Sequence, residues 1–452
     1  MPTIFNLQLP RSFYRIWTVL FIVKILTAYF LPPVDDEAYY WVWGQNLALG
    51  YLNHPGMVGW INGLGLAPGF FRIPFIVVNQ LSVLILACTG REHFNFDERK
   101  LLLILVVFNL IPVTGAGACL ALPDSLLIFF WILSIHSSLR LLTNSDDLSS
   151  AALLGISLGL GFCSKYHMVL APLTLILFCL FWHRAFFGKR KTIFIIVIFG
   201  LAAALPTLLW NQQNDWISFY FQLRHGLASQ GFSATRVLGY IADQTLIMSP
   251  FLILGCWKFQ PVNPKGALLK YFAFVPLAFF LLSSTRAPVE GNWPSIAAPA
   301  LALSVVLAFE NLAKFSIAYY SSIYAFLAAV FLFAPAQLPN KAKEPFAMRT
   351  FARETLSLPI LYGSSYQVSS QLWLQQGRVV YKAKGLSQYV MHDMYDLWKQ
   401  PDLPTKFHIA YKTSSSIPRM ATHVPIQGSN KSYGIYSVVE MIRNQTPSGP
   451  IQ

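Results

Sequence analysis

Between residues 13 and 336 the chain is a succession of apolar runs, each roughly 15 to 22 residues long and nearly free of charge. At 1.5 Å per residue such a run crosses a hydrocarbon core of ~30 Å as a helix, and the bilayer tolerates no open backbone alternative. We read spans at about 13–32, 70–90, 100–117, 122–142, 150–163, 165–182, 192–210, 237–257, 267–284, 293–312 and 316–336. Only 12% of the 452 residues are charged, about half the share of a soluble domain, so a soluble globular enzyme is excluded. A membrane β-barrel would alternate in short segments, and a disordered chain would hold far less Leu, Ile and Phe.

The formal net charge of +14 would suggest nucleic acid in a soluble chain, but here it follows the membrane. With the N-terminus in the cytoplasm, fourteen basic residues fall inside (Arg11, Arg15, Arg91, Arg99, Lys100, Arg140, Arg184, Lys189, Arg190, Lys191, Lys258, Lys265, Lys270 and Lys314). Five fall outside: Arg72, Lys165, Arg224, Arg236 and Arg286. This asymmetry orients the chain and predicts no nucleic-acid partner. The first span follows Arg11 and Arg15 and has no small-residue cleavage site behind it, so it reads as a retained anchor. The five cysteines all lie in or beside apolar spans and imply no disulfide framework.

An odd number of spans delivers the tail beyond residue 338 to the outer face. There the mixed runs YGSSYQVSSQLWLQ, GRVVYK and KFHIAYK, separated by Gly, Pro and Ser, read as a helix and several strands of a small α/β domain spanning 339–452. No internal repeat is visible. The expected fold class is therefore an all-α polytopic membrane domain over 1–338, with a C-terminal outer α/β domain.

Ionisable groups beside apolar spans are costly and so mark function by default. Asp35, Asp36 and Glu37 emerge after the first span, followed by the aromatic segment Tyr39, Tyr40, Trp41 and Trp43, which suits a helix lying in the interface. Asp36 is alternatively an N-cap, with Glu37 in the first turn. Asp124, after Pro123, also stands where a span begins, and N-cap duty competes with a catalytic role there. A third set is Lys165 in CSKYHM, Arg224 and His225 in FQLRHGL, and Arg286 and Asn292 in TRAPVEGNWP. Lys165 and Arg286 either meet an anion such as a phosphate or snorkel to the headgroups. His54, in LNHPG, is either a metal ligand or a hydrogen-bonding residue.

These residues occur in a familiar order: D-E-x-x-Y at Asp36 to Tyr40, H-P at His54, P-D at Asp124, S-K-Y at Ser164 to Tyr166, W-N…D-W at Trp210 to Trp216 and N-W-P at Asn292 to Pro294. In this order the chain resembles the GT-C superfamily of integral-membrane glycosyltransferases. The likeness is strongest to the bacterial branch with the lipid A aminoarabinose and galacturonic acid transferases and the relatives of protein O-mannosyltransferases. The resemblance implies inverting transfer of a sugar from a polyprenyl-phosphate donor to a lipid, glycan or protein acceptor, at the outer face of a bacterial inner membrane. It assigns Asp36, beside Glu37, the role of base or acceptor-orienting group, and makes Asp124 a second essential acid. Lys165, with Arg224 and Arg286, would meet the donor phosphate, and Tyr40, His54, His225 and Asn292 complete the candidate site. Relatives often carry an acid where this chain has Asn53, which weakens any metal site there; a divalent metal is possible and no other cofactor is implied. A polysaccharide ligase or polymerase would carry its large outer loop between late spans, and a transporter or flippase would show inverted repeats or broken helices at matching positions, which the sequence does not show.

Overall fold

The computed structural model describes residues 9–227, 231–358, 361–383, 393–401, 407–412 and 433–438. The chain forms two compact units. One comprises Met1–Leu31 with Trp43–Gln337, and the other Pro32–Val42 with Leu338–Gln452.

The first unit is helical throughout: α1 (Arg11–Phe30), the end of α2 (Asp35–Gln45), α3 (Met57–Asn62), α4 (Ile73–Phe94), α5 (Glu98–Leu110), α6 (Pro123–Thr143), α7 (Leu148–Ser164), α8 (Leu170–Trp182), α9 (Arg190–Gln213), α10 (Ile217–Leu227), α11 (Ala234–Met248), α12 (Pro250–Lys258), α13 (Pro264–Ser284), α14 (Ala298–Ala308) and α15 (Glu310–Phe333). Six of these (α1, α4, α6, α9, α13 and α15) are long and apolar enough to cross a membrane, and α11 with α12 makes a seventh, broken, span. Helices α4 and α6 are mostly buried, whereas α1, α9 and α15 leave their apolar faces open, including Val19, Ile22 and Val23 on α1. Water would not tolerate so large an apolar surface, and lipid does. This is a multi-pass membrane protein.

Local chemistry sets the helix ends. Asp97 caps α5 by accepting from Lys100 N, and Asp147 caps α7 by accepting from Ser149 N and Ser150 N. Arg72 donates to the carbonyls of Ala28 and Leu31 at 2.6 and 2.8 Å, closing the C-terminal end of α1. Helices α7 and α9 pack backbone to backbone: a side chain on Gly159 would run into Gly200 O and Ala203, and one on Gly155 into Ile196 O. That is the small-residue contact that lets membrane helices approach closely without a hydrophobic driving force. Within the bundle Lys24 of α1 donates to Asn79 Oδ1 on α4 and Asn109 Oδ1 on α5, both at 2.6 Å.

The stretch read as one span over 237–257 is bent by 92° between α11 and α12. Ser249 takes a left-handed φ of 61° there, and Pro250 supplies no N–H to carry the helix through. Ser249 Oγ caps the new helix at Phe251 N.

The second unit joins α16 (Asn340–Glu354), α17 (Tyr366–Gln376) and α18 (Met394–Leu397) to a four-stranded sheet of order β2-β1-β3-β4, with β1 Leu361–Gly363, β2 Tyr381–Lys382, β3 Phe407–Lys412 and β4 Tyr433–Val438. Strand β1 lies parallel to β2 and β3, and β3 pairs antiparallel with β4, Ile409 opposite Tyr436. Met348, Phe351, Val368, Leu372, Val380 and Ala410 form its core. Residues Pro32–Val42 are part of this unit: Tyr39 Oη accepts from Met394 N at 2.7 Å, and its ring lies 4.4 Å from that of Tyr366.

Candidate functional site

In the helical unit three of the sequence candidates come together. Pro123 opens α6 and puts Asp124 in its first turn, at the second helical residue. The residue before the helix, Leu122, makes no side-chain cap, so Asp124 is not an N-cap. Its carboxylate instead accepts from Lys165 Nζ at 2.8 Å and from Asn292 Nδ2 at 3.2 Å to each oxygen. Lys165 stands where α7 ends: its backbone is extended, with φ −159° and ψ 137°, which separates α7 from the short helical turn Tyr166–Val169. The lysine is 4% exposed, so it does not snorkel. Asn292 immediately precedes the turn Trp293–Ala297 that leads into α14. Only one of the three N–H donors of Lys165 has a partner among the described residues.

Next to Lys165 in sequence, Tyr166 joins two of the motifs. Tyr166 shares a 2.7 Å hydrogen bond with Ser218 and accepts from Asn211 Nδ2 at 3.3 Å, which ties S-K-Y to W-N. The D-W of the same motif, Asp215 and Trp216, takes two consecutive left-handed conformations, φ 52° and 58°. Such strain in non-glycine residues is concentrated at functional sites. His167 was not singled out in the sequence, although it follows Lys165 by two residues. It packs between the rings of Phe280 and Trp293, 5.1 and 5.2 Å away, within electrostatic reach of Lys165 and His54. Its Nδ1 is buried with no hydrogen-bond partner among the described residues. A buried imidazole beside a lysine was the available signal.

His54 sits in the turn before α3, its ring 6.4 Å from that of Trp43. Among the described residues no trio of His, Cys, Asp and Glu gathers around it to hold a metal. Arg286, just past α13, is exposed. Arg224 and His225 lie on α10, and their side chains fall outside the described residues.

The remaining candidates belong to the second unit, where the three acids separate into different tasks. Glu37 is fully buried and accepts from Val34 N at 3.1 Å, the reach-back bond of a helix start. Asp35 accepts from Gln371 Nε2 at 3.2 Å. Asp36 is the exposed one and is the second residue of α2, not its N-cap. Tyr40 is buried, its ring stacked 6.3 Å from that of Tyr39. Burial, with the carboxylates of Asp36, Asp35 and Asp393 close by, pushes the Tyr366 phenol up, so that it stays a proton donor beside these acids.

Residues 53–210 match the family model described as dolichyl-phosphate-mannose-protein mannosyltransferase. The chain is 23% identical over 294 residues to the lipid A galacturonosyltransferase RgtD of Rhizobium johnstonii, covering 62% of this chain and 60% of that protein. It is 26% identical over 204 residues to the lipopolysaccharide core galacturonosyltransferase RgtA of the same organism, covering 43% of this chain and 40% of that one. The chain thus spans less than two thirds of the length of these curated relatives. The crystal structure of ArnT from Cupriavidus metallidurans bound to undecaprenyl phosphate superposes with a TM-score of 0.65 at 13% identity, over 94% of this chain and 98% of that one. Its apo form superposes equally well, at 14% identity. At that identity the likeness is one of fold. Family model, relatives and fold agree, and the resemblance to the GT-C superfamily of membrane glycosyltransferases is borne out.

Proposed function

We propose that this protein transfers a sugar from a polyprenyl-phosphate donor to a lipopolysaccharide or related envelope lipid, at the outer face of a bacterial inner membrane. In this reading eleven crossings put the N-terminus in the cytoplasm and the residues from 339 onward outside. The observation that carries it is the buried Asp124–Lys165 pair, aligned by the half-buried Asn292, at the mouths of helices that are otherwise apolar. A cation there with two donors unfilled among the described residues suits the phosphate of a lipid whose tail stays in the bilayer. The names of the relatives and of the ArnT complex support the same donor and acceptor classes.

The acceptor oxygen attacks the anomeric carbon from the face opposite the phosphate. The bond from that carbon to the phosphate oxygen breaks with inversion, and its electron pair leaves on the polyprenyl phosphate. Lys165 meets the growing charge on the leaving oxygens, a contact that strengthens in the transition state. Asp124, itself aligned by Asn292, is a positioning residue that holds the ammonium. Asp36, the exposed acid, takes the proton of an acceptor hydroxyl, or orients a phosphate acceptor that has no proton to give. Arg224 and Arg286 are the further candidates for phosphate neutralisation. The test is mass spectrometry of envelope lipids from cells with and without the protein. A difference of one sugar unit on one lipid class is the expected result, and identical lipid profiles overturn the reading.

A further inference from the structure

At the end of α6 opposite Asp124, an apolar cavity of about 200 Å³ lies between α6, α7, α8 and α9. It reaches Leu141 and Leu142, roughly 26 Å from Asp124 at helical rise, so it is separate from the Asp124–Lys165 site. We propose that this cavity takes one acyl chain of an anionic glycerophospholipid, whose phosphate is met by Arg184, Lys189, Arg190 and Lys191 at its mouth.

The walls suit a hydrocarbon chain. Along α8 the lining runs from Pro172 to Cys179, about 10 Å at helical rise. Leu154 and Leu158 of α7 complete the slot with Ile193 and Ile196 of α9. Apolar cavities of about 150 Å³ stay dry and take apolar ligands, so a slot of this size favours a tail over water. Ile176 and Phe187, which also line it, are exposed, and the opening therefore faces the bilayer.

The mouth supplies the charge. The turn Arg184–Gly188 joins α8 to α9, and its Phe186 and Phe187 line the cavity between Arg184 on one side and Lys189 on the other. Arg190 stands three residues before Ile193, on the same face of α9. Exposed Trp182, at the end of α8, marks this level as the headgroup layer, where tryptophan collects. Four cations fall between positions 184 and 191 with no acid among them. Lys189 meets Asp146 at 2.9 Å, whereas Arg184, Arg190 and Lys191 meet no carboxylate among the described residues. A basic group between spans at the headgroup layer selects anionic lipid. Cations that only snorkel would leave that lipid free to exchange. Here an apolar slot begins beneath them, so one lipid is held at both its charge and its tail. The sugar donor of the proposed reaction presents its phosphate at the Asp124 end, and the lipid resident here is a phospholipid of the bilayer.

The test uses full-length protein in detergent, delipidated and then mixed with phosphatidylglycerol, with phosphatidylcholine of the same acyl chains, or with undecaprenyl phosphate. After gel filtration, native mass spectrometry should find about one phosphatidylglycerol retained per chain, with a raised thermal midpoint, and phosphatidylcholine should do neither. Arg184→Gln, Arg190→Gln and Lys191→Gln combined should weaken retention by about tenfold or more. These three side chains are exposed, so the fold should survive their replacement. Leu158→Trp, which fills the slot, should also release the lipid; should it not fold, the three lipids compared on wild-type protein decide. Equal retention of phosphatidylcholine, tighter retention of undecaprenyl phosphate, or wild-type retention in the triple variant or in folded Leu158→Trp overturns the proposal.

Discussion

Lys165→Met removes the ammonium 2.8 Å from Asp124 Oδ1 and keeps its apolar stem. At that separation and an effective dielectric of about 20 the two charges attract by roughly 6 kcal/mol. Dehydrating both offsets much of this, so the relevant quantity is the cost of leaving one charge alone, about 3–5 kcal/mol. Among the described residues, Asp124 would keep only the amide of Asn292. The thermal midpoint in detergent should fall clearly. Removing both charges in Asp124→Leu with Lys165→Met should recover most of that loss, because apolar residues often replace a buried pair at little cost. Turnover in reconstituted vesicles should not recover. A missing contact to the leaving phosphate costs about 2.7–4 kcal/mol of transition-state stabilisation, a hundred- to a thousandfold in rate, in the single and the double variant alike. A double variant that regains stability and turnover together would refute the phosphate role and reduce the pair to architecture. A single variant with an unchanged midpoint would refute the buried ion pair itself.

Asp36→Asn should abolish transfer while the protein inserts and accumulates normally, since asparagine keeps the size and hydrogen bonding of the exposed acid; near-normal turnover would remove Asp36 from the chemistry. Cysteines introduced at Asp146 and Gly188 should be labelled only after the cytoplasmic side is opened, and one at Gln400 in intact cells; the reverse pattern would invert the membrane orientation. Gly159→Leu should separate α7 from α9 and cost on the order of 1–3 kcal/mol or more, seen as a lowered thermal midpoint, because the added side chain meets backbone that cannot move aside. Lys24→Met should also lower the midpoint but leave turnover of the surviving folded protein within about twofold, as its two amide partners point to no substrate.

Much of the bundle was legible because hydropathy reports burial in lipid directly. It does not report breaks in the backbone: the run over 237–257 is interrupted by Asp243-Gln244-Thr245 but reads on as one span, and Ser249-Pro250 is the local hint of the 92° bend. The value of Asp124 and Lys165 was also readable, since a charge beside an apolar span has to be stabilised by something. That they stabilise each other was not readable. They are 41 positions apart on different helices, and no local period connects them. The triplet Asp35, Asp36 and Glu37 shows the same limit. Three adjacent acids look equivalent in a string, yet the helix that contains them sends Glu37 back to Val34 N, gives Asp35 to Gln371 and leaves Asp36 exposed.

The two buried lysines of the bundle separate architecture from function. Lys24 and Lys165 are 6% and 4% exposed, so both pay nearly the same dehydration cost. Lys24 meets two amide oxygens at 2.6 Å, neutral acceptors from two neighbouring helices, and this knits α1, α4 and α5 together without calling for an anion. Lys165 has a full counter-charge in Asp124 but only that one acceptor among the described residues. Its charge is balanced while its hydrogen-bonding capacity is not. An ammonium serving only the fold would be placed like Lys24, with two of its three donors taken by amides of the surrounding helices. One held by a single carboxylate, which Asn292 aligns from another segment, keeps donors for an oxygen-rich group that arrives and leaves. A phosphate on a lipid tail is such a group.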